Sequence, residues 1–91
     1  MDATLTLDAD RPLALVRGRA VDLTPLEWRV ARRLADAAGH AVGRAEIARL
    51  IGGEGGDASD NAVAVHLYNL RRKLGRDAIE TIRGRGFRLK L

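Results

Sequence analysis

Asn61, Val65, Tyr68, Asn69 and Arg72 recur along one flank of the stretch Asp60 to Gly75, DNAVAVHLYNLRRKLG. An amide, a small apolar group, a phenol and a guanidinium together suit the edges of base pairs. Asparagine bonds adenine at N6 and N7 at once, and an apolar group meets the thymine methyl. Val63, Leu67, Leu70 and Leu74 of the same stretch fall at i, i+4, i+7 and i+11. They therefore stack on one face of an α-helix. The spacing predicts a helix anchored on that face, with hydrogen-bonding side chains on the other. A helix of this kind fits the major groove of B-DNA.

Each of these residues also has a plainer reading. Asn69 is either a base reader or an exposed polar group. Val65 meets a thymine methyl or packs against the wing or a loop. Tyr68 reaches a phosphate or a base, or lies half-buried beside a sheet. His66, at the edge of the anchored face, donates to a phosphate or is a packing histidine. Arg71, Arg72, Lys73 and Arg88 suit phosphate oxygens, contacts that set register without reading sequence. Arg83 and Arg85 suit a narrow minor groove, whose negative potential draws arginine. Read alone, Arg83-Gly84-Arg85-Gly86 also matches a disordered RNA-binding tract. The alternation of Phe87, Leu89 and Leu91 beside it favours a folded hairpin.

The charge is distributed accordingly. The 91 residues carry a net +4. Residues 1–60 hold 8 Lys/Arg against 10 Asp/Glu, and residues 61–91 hold 8 against 2. The last third has more than the whole positive excess, as expected of a surface facing a polyanion.

The elements that must position these groups can be read in order. Thr4 to Asp8, Leu13 to Arg17 and Arg19 to Leu23 are short strands, too close in sequence to pair other than antiparallel. Thr24-Pro25-Leu26-Glu27 starts a helix with a capping box and proline in the first turn. That helix spans 25–38, with Gly39 as its stop. Glu27 is the one acid inside its apolar arc. A second helix spans 44–51 behind Gly43, with Ile47, Leu50 and Ile51 inward. Residues 52–58, GGEGGDA, read as the most flexible stretch. Ser59 or Asp60 caps the third helix, 60–74, and Gly75 ends it. Ile79 to Arg83 and Gly86 to Leu91 form a hairpin over a Gly84-Arg85 turn.

The expected fold is α+β: a winged helix-turn-helix with an N-terminal antiparallel sheet over 4–24, three helices and a C-terminal wing over 79–91. One domain fits the length. There is no cysteine, so disulfides, thiolate metal sites and cysteine nucleophiles are excluded. No apolar run is long enough for a membrane span, and MDATLTLDAD is unlike a signal peptide. No histidine pair has ligand spacing, no Ser/His/Asp set is suggested, and the glycine loop lacks G-K-[ST]. No enzyme, cofactor or metal is expected.

The segments Thr24-Pro25-Leu26-Glu27-Trp28, Val63-Ala64-Val65-His66, Leu70-Arg71-Arg72-Lys73-Leu74 and Ile79 through Leu89 (IETIRGRGFRL) resemble the C-terminal effector domain of OmpR/PhoB-type response regulators. The likeness runs from Leu5 to Leu91. It implies a sheet of four strands before the helices, and promoter DNA as partner, usually as direct repeats bound by tandem dimers. It places Val65, Tyr68 and Asn69 at bases, Arg71, Arg72 and Lys73 near phosphates, and Arg83 in the minor groove. It puts loop 52–58 where relatives touch RNA polymerase, and it implies a cytoplasmic, bacterial protein. Three features depart from the family. Asn61 stands where it usually has arginine, and Ala64 where it has an acid. The loop lacks the usual aromatic. A chain of this length has no room for a receiver domain. A competing reading is a basic module that docks an acidic protein, since winged helices do this too. RNA binding is a third, disfavoured by the lack of exposed stacking aromatics.

Overall fold

The computed structural model describes residues 5–90. Three strands, β1 (Leu5–Leu7), β2 (Leu13–Val16) and β3 (Arg19–Asp22), precede α1 (Pro25–Asp36), α2 (Arg44–Gly52) and α3 (Asp60–Leu74). The wing follows as β4 (Ile79–Ile82) and β5 (Gly86–Leu89). The N-terminal sheet is antiparallel in the order β1-β2-β3. Among the described residues it has three strands, where the family resemblance implied four. Thr4 and Leu91, assigned above to strands, lie outside the described residues.

The capping box forms as the sequence dictates. Glu27 N–H donates to Thr24 Oγ1 at 3.1 Å, and Thr24 N–H donates to Glu27 Oε1 at 2.9 Å. The helix ends earlier than expected. Asp36 is its last residue, Ala37 caps it, and Ala38 takes a left-handed φ of 53° before Gly39. The turn therefore begins at an alanine, one residue before the glycine read as the stop.

One core unites the elements. Ala14 from the sheet, Val30, Ala31 and Leu34 from α1, Ile47 from α2, and Phe87 and Leu89 from the wing are all buried with the four aliphatic ribs of α3. Trp28 joins sheet to helix, its indole Nε1–H donating to Asp8 O at 3.0 Å. Arg33 and Glu46 pair between α1 and α2.

Two connections differ from the sequence reading. Stretch 52–58 is not an open loop: Gly52 ends α2, Gly53–Gly55 form one 3-10 turn, and Ala58 N–H returns to Ala48 O at 3.0 Å. A Cβ on Gly52 would meet Ala58 N at 2.8 Å, so glycine permits this close return. The wing loop has three residues, Arg83 to Arg85, because Ile82 pairs with Gly86; the expected two-residue turn is one residue short. Val42, between α1 and α2, forms a single bridge to Phe87. Val42 N–H donates to Phe87 O at 2.7 Å, and Phe87 N–H donates to Val42 O at 2.9 Å. The wing is thereby stitched to the segment entering α2.

Candidate nucleic-acid interface

Helix α3 has the two faces its spacing predicts. Val63, Leu67, Leu70 and Leu74 are 1%, 1%, 0% and 4% exposed, whereas Val65 is 50% and Tyr68 60% exposed. Asn61 is exposed and Asn69 partly so. Ser59, not Asp60, caps the helix, its Oγ accepting from Ala62 N–H at 3.1 Å. Val65 and Tyr68 thus take neither of their plainer, packed readings.

The cations divide into two sets that sequence spacing could not separate. Arg72 is exposed, with its guanidinium 6.0 Å from the Tyr68 ring centroid. Arg83 and Arg85 are exposed on the wing loop. The other phosphate candidates have internal partners. Arg71 ties α3 to the wing, donating from Nε to Ile79 O at 3.0 Å and from Nη2 to Thr81 Oγ1 at 3.2 Å. Arg88 pairs with Glu80 across β4 and β5 at 2.6 Å.

Lys73 departs most from expectation. Its Nζ lies 2.6 Å from Glu27 Oε1, on a side chain only 8% exposed. Moving Lys73 to a phosphate would strand a buried carboxylate, which is costly. The geometry gives Lys73 to the α1–α3 contact rather than to DNA. It also gives Glu27 a second role beyond the cap. Burial raises the Glu27 carboxyl's pKa, but hydrogen bonding to Lys73 and the Thr24 backbone outweighs this and leaves it below its ordinary value. Sequence reading missed the pair because its members stand 46 residues apart.

His66 is partly buried. Its Nε2 is sealed from solvent without a hydrogen-bond partner, so that nitrogen is not placed to donate to a phosphate. Burial pushes its pKa below the ordinary 6.5; nearby Glu27 opposes the shift and Lys73 adds to it. The folded protein therefore binds this proton less readily than the unfolded chain does. Stability should be full above about pH 6.5 and should fall as acid approaches the depressed folded-state value. Thermal unfolding between about pH 7.5 and 5.5 checks this: the wild type should lose melting temperature on acidification, and His66→Gln should lose less. Equal losses would remove His66 as the source.

Among the described residues no cluster of His, Cys, Asp and Glu could hold a metal, and no helix is long and apolar enough to cross a membrane.

Three helices, the third presenting an exposed reading face beside a basic hairpin, define a winged-helix DNA-binding domain. The family described as "Transcriptional regulatory protein, C terminal" matches residues 18–89, and the chain belongs to it, as an effector domain of OmpR/PhoB type. That family is a transcription-regulatory class and not a class of enzymes. The response regulator protein PmrA of Pseudomonas aeruginosa is 37% identical over 83 residues, covering 91% of this chain and 38% of its own. The transcriptional regulatory protein BasR of Escherichia coli is 36% identical over 85 residues, covering 93% and 38%. The chain thus spans under two-fifths of the length of these relatives. Among solved structures, the DNA-binding domain of CpxR from E. coli superposes with a TM-score of 0.76 at 31% identity, over 94% of this chain and 89% of that one. The Klebsiella pneumoniae RstA DNA-binding domain in complex with the RstA box gives 0.77 at 26% identity, over 96% and 91%.

Proposed function

We propose that this domain binds promoter DNA sequence-specifically, with α3 in the major groove and the wing in the adjacent minor groove. Asn61, Val65, Tyr68 and Asn69 face the bases. Arg72 holds a phosphate at the end of α3, with Arg71 beside it as far as its ties to β4 allow. Arg83 and Arg85 enter the minor groove. One observation carries the reading: α3 buries its four aliphatic ribs while Val65 and Tyr68 stand in water. Support comes from family membership and from the likeness to RstA, solved with the RstA box. The domain acts in a bacterial cytoplasm, on direct repeats, as tandem copies. The 52–58 turn is the segment offered to RNA polymerase, through Glu54 and Asp57 rather than an aromatic.

Selection from a random duplex library tests the reading. A motif repeated at about 10–11 base pairs would give specificity and tandem arrangement together; no enrichment would sink both. Binding should weaken steeply with salt, with a log–log slope of about −4 to −5 for ~5 phosphate contacts. Asn69→Ala should cost on the order of 1–3 kcal/mol on the selected site and little on random DNA. Equal losses on the two duplexes would take base reading away from Asn69.

A further inference from the structure

A helix lying in the major groove meets base edges through its N-terminal turns. In α3 those turns hold Asn61, Ala64, Val65 and Tyr68 exposed and Asn69 half-buried. At about 100° per residue these five side chains fall in one arc of about 140°. The buried Val63, Leu67 and Leu70 lie opposite. From Asn61 to Asn69 the arc runs about 12 Å along the helix, the length of three to four base-pair steps.

The arc holds two carboxamides, two small aliphatic groups and a phenol, with no charge among them. That chemistry is selective. Guanine is read by arginine or lysine on O6 and N7, and cytosine by a carboxylate that accepts from N4. Adenine offers a donor at N6 and an acceptor at N7, which one carboxamide satisfies together. Guanine offers acceptors alone at O6 and N7, so an asparagine there leaves its amide oxygen unpaired. The phenol donates or accepts and sets no preference by itself.

The charged groups of α3 are held elsewhere. Asp60, its one acid, opens the helix 3.9 Å from the Arg44 guanidinium. Arg71 bonds Ile79 O and Thr81 Oγ1, and Lys73 bonds Glu27. Arg72 follows in the last turn, its guanidinium 6.0 Å from the Tyr68 ring centroid, beyond the base-reading turns. His66 Nε2 is sealed from solvent.

We infer that the base pairs beneath the first turns of α3 are A·T pairs. Asn61 and Asn69 each grip an adenine, Ala64 and Val65 cover thymine methyls, and this helix reads no G·C pair. The inference rests on the DNA-binding reading above and names the sequence class which that reading leaves open.

Selection from the random duplex library, repeated with Asn69→Ala and Val65→Ala, locates the α3 positions as those whose base preference relaxes. Those positions should be A·T. Melting temperatures of both variants should stay within a few degrees of the wild type, so relaxation reports recognition and not folding. Base analogues in the selected duplex then test the groove. Inosine·cytosine shows the major groove of G·C without its minor-groove amino group; diaminopurine·thymine shows the major groove of A·T with that group added. At the relaxed positions inosine·cytosine should weaken wild-type binding about 5- to 150-fold, the worth of one bidentate contact. Diaminopurine·thymine should leave it unchanged. Uracil for thymine at the position that relaxes in Val65→Ala should weaken the wild type and not the variant, because only the methyl is lost. Relaxed positions that are G·C, no relaxed position in either variant, full tolerance of inosine·cytosine, or uracil sensitivity undiminished in Val65→Ala would each overturn the inference while leaving DNA binding intact. No enriched motif with the wild type would instead overturn the reading on which it rests.

Discussion

Replacing Gly86 with alanine should pull the wing off the domain and lower stability and DNA affinity together. Gly86 has φ +136°, and a Cβ there would lie 2.0 Å from Val42 O and 2.9 Å from Gly43 Cα. The obstructing atoms are backbone, so no rotamer change relieves them. Strain of that kind is worth roughly 1–3 kcal/mol. Loss of the two Val42–Phe87 hydrogen bonds adds about 1 kcal/mol each. A total of about 3–5 kcal/mol corresponds to a fall of at least about 12 °C in a domain of this size. Gly84→Ala is the internal control. Its φ is +77°, but nothing lies within 4 Å of its Cβ position, so only the backbone term applies. Melting curves and DNA titrations of the two variants decide the matter. If Gly86→Ala melts where Gly84→Ala does, the wing is not pinned as described.

Leu70→Ala should be the most damaging single truncation within α3. The side chain is 0% exposed and meets the common core. Leucine to alanine in such a site costs about 2–5 kcal/mol, through lost transfer free energy and the cavity left behind. Whole-domain stability is only about 5–15 kcal/mol, so a melting point lower by at least about 8 °C is expected. Val65→Ala, one turn earlier and about 140° round the helix, should do the reverse. Val65 is 50% exposed, so stability should change by less than about 0.5 kcal/mol. Affinity for the selected duplex should fall instead, through the lost methyl contact. Chemical denaturation and DNA titration of the two variants should separate folding from recognition along one helix. A Val65→Ala variant as unstable as Leu70→Ala would mean that the two faces are not distinct.

Much of the architecture was legible because it rests on local rules. The capping box needs only Thr24 and Glu27, three residues apart. The helix-three ribs repeat at the helical period. The wing alternates at the strand period, and its arginines sit at a turn. Failures came where a local rule left a choice. The left-handed turn begins at Ala38, one residue before Gly39. The wing loop has three residues because register, not turn chemistry, pairs Ile82 with Gly86. The glycine stretch folds back because Gly52 lets Ala58 approach α2.

The arginines and lysines show the limit most plainly. In sequence, Arg71, Arg72 and Lys73 are three adjacent cations with equal claims on a phosphate, since charge and spacing are all that a sequence displays. The fold gives Lys73 to a buried carboxylate from α1, Arg71 to the wing backbone, and leaves Arg72 to solvent and Tyr68. Likewise Arg44, unremarked as the first residue of a helix, meets the wing only because Val42 bridges Phe87. Sequence alone determined which faces are apolar, where helices begin and where positive charge accumulates, because these depend on neighbours within a turn or two. Tertiary structure decided which charges remain free to bind, because an ion pair is formed by whichever opposite charge the packing brings near, whatever its distance along the chain.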